Sequence, residues 1–262
     1  MKKIVRSFLL ISIACNTAAA QNDRDFADFE TDIILQKLFD ATAVNTGIAE
    51  WKPNFAERLY LNTSANGYSY TTIDTIIRFK VKTELAVIVF HTYATKELAT
   101  CDTCSKLISI SIFEKKDDSK WTMRAFNKIT TKYMQPGKVY NYRLVKINSL
   151  DIYALAFNIE TGLNGGLLLY RDLYLYNIYN PDYYDINLAL SAVLYYSNKE
   201  NSNKKMHYSY SSDVKFIPRT SWYGIEITTK GMMPDFNGTG LSPYNAKTTY
   251  FFDQSFMAYA TK

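Results

Sequence analysis

Lys106-Leu107-Ile108-Ser109-Ile110-Ser111-Ile112-Phe113-Glu114 puts Ile108, Ile110 and Ile112 on one face of an extended chain and Ser109 and Ser111 on the other. Period two is the mark of a strand, because successive side chains leave a pleated backbone on opposite sides. Five polar residues follow, Lys115-Lys116-Asp117-Asp118-Ser119. Lys120 to Phe126 then alternates again, with Trp121, Met123 and Ala125 against Lys120, Thr122 and Arg124. Two alternating runs around a polar turn predict a β-hairpin.

The same reading extends in both directions. Upstream, Leu85 to Thr92 is apolar on both faces, which predicts a central, covered strand. Downstream, Tyr142–Ile147 and Ile152–Asn158 predict a second hairpin around Asn148-Ser149. The cluster Gly162-Leu163-Asn164-Gly165-Gly166 is a turn, and Leu167 to Tyr179 follows as a long strand. Leu188–Tyr196, His207–Ile217, Tyr223–Thr229 and Thr248–Tyr259 are further strand candidates. No helical period separates these segments, so strand–helix–strand crossovers are not expected. The predicted fold class is all-β, an antiparallel sandwich or barrel-like sheet. Composition agrees: 22 Tyr and 15 Phe against 10 Gly and 6 Pro suit pleated, half-buried surfaces.

One helix is predicted ahead of the strands, over 25–43. Phe26, Phe29, Ile33, Ile34, Leu38 and Ala41 recur at three- and four-residue steps, and Asp25, Asp28 and Glu30 crowd the start. It is expected to pack on the sheet through Phe29, Ile33 and Leu38. A short second helix is expected over 54–61. Residues 21–262 read as a single mostly-β domain, with the polar loop Lys199–Lys205 as the best internal breakpoint but not a boundary.

The first twenty residues have a different character. Lys2, Lys3 and Arg6 precede the apolar run Phe8 to Ala14, and Thr17-Ala18-Ala19-Ala20 ends in small residues. That pattern predicts a secretory signal peptide over 1–20, cut before Gln21. A competing reading takes Ala14-Cys15 as a lipoprotein site, although Ser12 stands where such sites carry Leu, Val or Ile. The expected location is therefore periplasmic or secreted, with outer-membrane attachment through Cys15 as the alternative. The apolar run is too short to span a bilayer, which takes about 20 residues. The whole chain has 30 Lys+Arg and 25 Asp+Glu, a net of +5. Without the three cations of residues 1–20 the balance is 27 to 25, or +2. A charge this close to zero gives no reason to expect nucleic acid, which needs a concentrated basic surface.

Cys101-Asp102-Thr103-Cys104 is the sharpest local feature. A Cys-x-x-Cys pair serves as a redox centre, half of a metal site or a small disulfide. The pair lies between two predicted strands and not at a helix start, which argues against a redox centre. A zinc site would have to add His91 and His207, the only histidines. In an oxidising compartment the expected state is a Cys101–Cys104 disulfide, with no metal and no cofactor. The order of strand, Cys-x-x-Cys, alternating strand, polar turn and Trp across residues 85–125 resembles a group of uncharacterised exported bacterial proteins. Those often carry Cys-His-x-Cys before the strand. Asp102 stands in place of that His here, and the resemblance implies no activity.

The strand Leu167–Tyr179 carries Leu167, Leu169, Leu173 and Leu175 on one face and Tyr170, Asp172, Tyr174 and Tyr176 on the other. Tyr170, Tyr174 and Tyr176 are the candidate ligand-binding residues, spread over roughly 20 Å at about 3.3 Å per residue. The same spacing would serve a buried aromatic ladder. Glu160, Asp172, Asp182, Asp185, Glu226 and Asp235 are conceivable hydrolytic acids, none favoured over another, and no catalytic residue is assigned. The expectation is an exported bacterial protein that recognises a glycan or a protein partner without catalysis. Its rivals are a carbohydrate-active hydrolase with paired carboxylates and an inhibitor or immunity-type protein.

Overall fold

The structure, a computed structural model, describes residues 25–26, 30–61, 63–64, 67–116, 120–130, 136–179, 186–235, 237 and 239–261. The predicted signal segment with Cys15, Phe29 of the expected helix contact and the acids Asp182 and Asp185 lie outside them. The fold is mostly antiparallel β, in two sheets. The first contains β1 (Asp25–Phe26), β2 (Ala43–Asn45), β3 (Ile48–Trp51), β4 (Ser69–Lys80), β5 (Glu84–Tyr93), β6 (Leu107–Lys115) and β7 (Trp121–Asn127). Their spatial order is β1-β7-β6-β5-β4-β3-β2. The second contains β8 (Lys138–Lys146), β9 (Tyr153–Leu163), β10 (Leu168–Tyr179), β11 (Asn187–Asn198), β12 (Tyr208–Ile217), β13 (Gly224–Pro234), β14 (Leu241–Asp253) and β15 (Ala258–Thr261), in simple sequence order. The expected hairpin from Lys106 is β6 paired with β7, and Tyr142–Asn158 falls in the β8–β9 pair.

The expected helix over 25–43 is shorter. Helix α1 runs Thr31–Phe39, and Asp40 ends it in the left-handed region at φ 50°. Asp25 and Phe26 pair with β7 instead, Phe26 opposite Trp121. Thr46 and Gly47, both at positive φ, turn the chain between β2 and β3. A two-residue turn with positive φ at both positions is the form that suits hairpin twist. The buried helix face is Ile34, Leu35, Leu38 and Phe39. Ile33, expected in the contact, is 38 % exposed. The second helix, α2, is Phe55–Leu61, close to its expected span. Glu57 on it pairs with Lys128 at 3.0 Å, and that ammonium also lies 3.9 Å from the centre of the Trp51 ring.

β5 is the spine of the first sheet. Its Ala86, Ile88 and Phe90 share an apolar cluster with Phe39 of α1 and with Phe26, Trp51, Phe113 and Trp121. Its Leu85, Val87 and Val89 face the second sheet, where Ile108, Ile110 and Ile112 meet Leu155, Phe157, Ile159 and Tyr176. Covering on both faces explains the unbroken apolar run. It also buries Ser109 and Ser111 completely on the helix side, and the Ser109 hydroxyl donates to the Lys128 carbonyl at 2.6 Å. A third apolar cluster holds Leu173, Leu175, Ala189, Leu190, Ile225, Ile227 and Tyr259, gathered where the second sheet curls into a half-barrel. Thr248–Tyr259, read as one strand, is two, β14 and β15, separated by a turn. Among the described residues no helix is long and apolar enough to cross a membrane.

Candidate functional site

β10 alternates as its sequence implies. Its pairing with β9 is unbroken from Leu168 to Asn177, so Tyr170, Asp172, Tyr174 and Tyr176 leave one face, and Leu173 and Leu175 enter the core on the other. Leu167, expected on the Leu face, lies before the strand and is exposed. The three candidate tyrosines do not form one surface. Tyr176 is 1 % exposed; its ring stacks on Phe157 at 5.7 Å and its hydroxyl donates to the Thr130 carbonyl at 3.3 Å. Burial raises its pKa above the usual tyrosine value. Tyr174 is half-buried, stacked on the same Phe157 ring at 5.7 Å, and burial followed by the Asp172 charge pushes it up to about 12. The first sheet covers this end of β10, so Tyr176 is core and Tyr174 mainly packs. Tyr170 lies beyond the cover.

The aromatic surface runs across the strands instead of along one. Tyr170 on β10 pairs with Tyr196 on β11, Tyr196 with Tyr210 on β12, Tyr210 with Gly231 on β13, and Gly231 with Tyr244 on β14. Paired residues share a sheet face. The rings touch in sequence: Tyr170 and Tyr196 edge-on at 5.1 Å, Tyr196 and Tyr210 stacked at 5.3 Å, Tyr210 and Tyr244 edge-on at 6.2 Å. Tyr208 flanks the row, 5.6 Å from Tyr196. With strands about 4.8 Å apart, four steps from β10 to β14 give a row of about 19 Å. Tyr170, Tyr196 and Tyr210 are half-buried and Tyr244 is 38 % exposed. Asp172 sits beside the row, its carboxyl raised above the normal carboxylate range by burial, and its charge is felt at Tyr170 and Tyr210.

A second constellation joins the two sheets, built from residues that the sequence does not single out apart from His91. A polar cavity of about 300 Å³ is lined by Thr72, Asp74, His91, Tyr93, Lys106 and Lys138, with Asp102 at the cysteine loop. His91 is buried, with Nδ1 3.3 Å from an Asp74 carboxylate oxygen and Nε2 3.3 Å from the Tyr142 hydroxyl. Burial, then the nearby Lys106 charge, pushes its pKa down to about 3, so the ring is neutral at pH 7. A neutral ring facing a carboxylate is assigned Nδ1–H as donor to Asp74, and the single Tyr142 hydroxyl proton lies within reach of both His91 Nε2 and the Asp74 carboxylate. Burial also raises Asp74, against the lowering effects of a Tyr142 hydrogen bond and Lys106. It lifts Tyr142 far above the normal range, followed by the charge of Asp74, and takes Tyr93 up to about 12. Lys106, 1 % exposed, donates to the Asp102 carbonyl at 2.5 Å. Burial lowers its pKa, opposed by the charges of Asp74 and Asp102.

Cys101 and Cys104 are joined as a disulfide in the loop that carries the lining residue Asp102. The loop has other ties: Cys101 N–H donates to the Leu98 carbonyl at 2.9 Å and Gly137 N–H to the Thr103 carbonyl at 2.9 Å. In the chain-entropy picture a bridge spanning three residues of sequence contributes under about 2 kcal/mol. Cys101→Ala should therefore lower stability by no more than that in urea unfolding, with the fold retained; loss of the folded state would contradict it. Both thiols are consumed in the bridge, and His207 lies in the loop before β12, its Nε2 2.8 Å from the Asn201 carbonyl, far in topology from His91 on β5. Among the described residues no three His, Cys, Asp or Glu side chains gather as a metal site.

Three of the conceivable acids are engaged with partners of their own. Glu160 pairs with Arg171 at 2.8 Å, Glu226 with Lys247 at 2.7 Å, and Asp235 accepts from the Thr239 backbone N–H at 2.9 Å within its own loop. Comparison with protein-family models, curated proteins and solved structures gives no match.

Proposed function

We propose that this chain is an exported bacterial recognition protein, acting in the periplasm or at the cell surface, that binds an extended, hydroxyl-rich ligand such as a glycan chain without catalysis. The observation that carries the proposal is the cross-strand row Tyr170, Tyr196, Tyr210 and Tyr244, held in register by four strand pairings. Tyrosine supplies a large rigid ring at low entropic cost and keeps a hydroxyl for hydrogen bonding. A ring at nearly every strand offers one stacking position after another along a line, the form in which an extended polymer presents its units. Asp172 adds an acceptor for ligand hydroxyls. The engagement of Glu160 and Glu226 in ion pairs and of both His91 ring nitrogens supports binding over hydrolysis. Export rests on the character of residues 1–20.

Glycan-array screening of the purified protein, followed by titration calorimetry on a hit, tests this. Tyr244→Ala should weaken the hit by about five- to tenfold, the order of 1–1.5 kcal/mol for a stacking contact. The variant should melt within a few degrees of the wild type, because Tyr244 is among the more exposed rings. An array without hits, or a Tyr244→Ala protein that binds as the wild type does, overturns the proposal.

A further inference from the structure

We propose that the cavity between the sheets, lined by Asp74, His91, Tyr93, Lys106 and Lys138, receives a single terminal sugar unit, so that the ligand is recognised by its end. This rests on the reading of the tyrosine row as a glycan platform and deepens it. Three observations carry it.

The first is the cavity's polarity. Lys106, Lys138, Asp74 and Asp102 are among the residues that line it, so basic and acidic residues are equal in number there and favour a neutral occupant. The same lining mixes donors with acceptors. Sugar hydroxyls donate and accept at one atom and so answer both kinds of partner. Lys106 sharpens the point. It is a buried cation whose ammonium donates to one backbone carbonyl, that of Asp102, and among the described residues no carboxylate lies within ion-pair distance of it. Buried polar groups with spare hydrogen-bonding capacity are costly, and a ligand hydroxyl accepting from Lys106 relieves that cost. Tyr93, whose ring lies 5.7 Å from the same ammonium, contributes a ring and a protonated phenol.

The second observation is size. About 300 Å³ is at the small end of ligand sites and fits one ring, not a chain.

The third is position. Val139 on the cavity wall pairs with Ile159, and Ile159 with Asp172, on the sheet face that also carries Tyr170. The cavity strand β8 is therefore two strand spacings, about 10 Å, from β10, where the row begins. A chain whose end occupies the cavity meets Asp172 and Tyr170 next, then Tyr196, Tyr210 and Tyr244.

The experiment uses the oligosaccharide that binds best on the array in three forms: intact, reduced to the alditol at its reducing end, and deoxygenated at the non-reducing terminal hydroxyl. Affinities are measured for the wild type and for Lys138→Ala and Tyr93→Phe. Lys138 is exposed at the rim, so its loss leaves the packing alone. End recognition predicts that one of the altered forms binds at least tenfold more weakly and the other as the intact chain does. Lys138→Ala should weaken the intact ligand about fivefold, and the penalty for the sensitive end should shrink in that variant, the non-additivity expected of groups in contact. If both altered forms bind like the intact chain and Lys138→Ala and Tyr93→Phe are silent while Tyr244→Ala weakens binding, the ligand lies internally on the row and end recognition is wrong. If no oligosaccharide binds, the reading of the row falls first and this inference with it.

Discussion

Phe39→Ala is expected to destabilise the protein by about 3–5 kcal/mol, the range for removing a large buried aromatic. Phe39 is the last residue of α1 and 1 % exposed. Its ring meets Trp51 at 5.5 Å, Phe90 at 5.3 Å and Phe126 at 5.4 Å, which are residues of β3, β5 and β7. One side chain thus joins the helix to three strands of the first sheet. The cavity left by alanine is lined by rigid rings that cannot collapse into it, which places the cost high in the range. The Lys128 ammonium lies 5.6 Å from the Phe39 ring centre and 3.9 Å from that of Trp51, so its packing loosens as well. Urea unfolding followed by tryptophan fluorescence measures the change. A loss below 1 kcal/mol would mean that α1 is not docked through this face. Ile33→Ala, nearly two turns earlier on the exposed side, should cost well under 1 kcal/mol in the same assay.

The contrast between Phe39 and Ile33 marks what could be read in the chain and what could not. Period two in Lys106–Phe126 predicts two strands and their turn because alternation is a property of the backbone itself. The unbroken run Leu85–Thr92 predicts a covered strand for the same reason. The extent of α1 is less legible. Phe26 fits a helical spacing and becomes a strand residue through its partner Trp121, 95 positions later in the chain. Local pattern carries no information about such a partner. The candidate site divides in the same way. Alternation places Tyr170, Tyr174 and Tyr176 on one face of β10, while their depth depends on how far the first sheet reaches over that face. Tyr196, Tyr210 and Tyr244 join Tyr170 only through the strand registers, and a shift of one residue in any of them would send a ring to the other side. The cavity is less legible still, since Asp74, His91 and Lys106 meet through the pairing of β4, β5 and β6 and Tyr142 joins them only through the packing of the second sheet on the first.

Gly231 tests those registers directly, and Gly231→Ala should cost roughly 3 kcal/mol, the upper end of the range for overpacking. Gly231 has φ 156°, in a region that side chains rarely adopt. An added Cβ would lie 2.5 Å from the Tyr210 Cα and 2.6 Å from its Cβ, and would also collide with the Ser209 carbonyl oxygen. These are backbone atoms and the root of a side chain, so none can swing aside as the end of a lysine would. Relief requires β13 to part from β12 or to slide along it. Either movement breaks the row, because Gly231 stands between Tyr210 and Tyr244, and those rings approach to 6.2 Å across a residue with no side chain of its own. The variant should therefore lose stability in thermal unfolding and, at temperatures where it remains folded, bind the array hit more weakly than Tyr244→Ala does. A Gly231→Ala protein as stable as the wild type to within about 0.5 kcal/mol would show that Tyr210 and Tyr244 do not flank position 231, and the tyrosine row would lose its middle. Substituting Gly165 gives the comparison: its φ of 67° is also positive but a Cβ there meets nothing within 4 Å. Alanine at that turn should show the backbone penalty alone, about 1 kcal/mol, and leave binding unchanged.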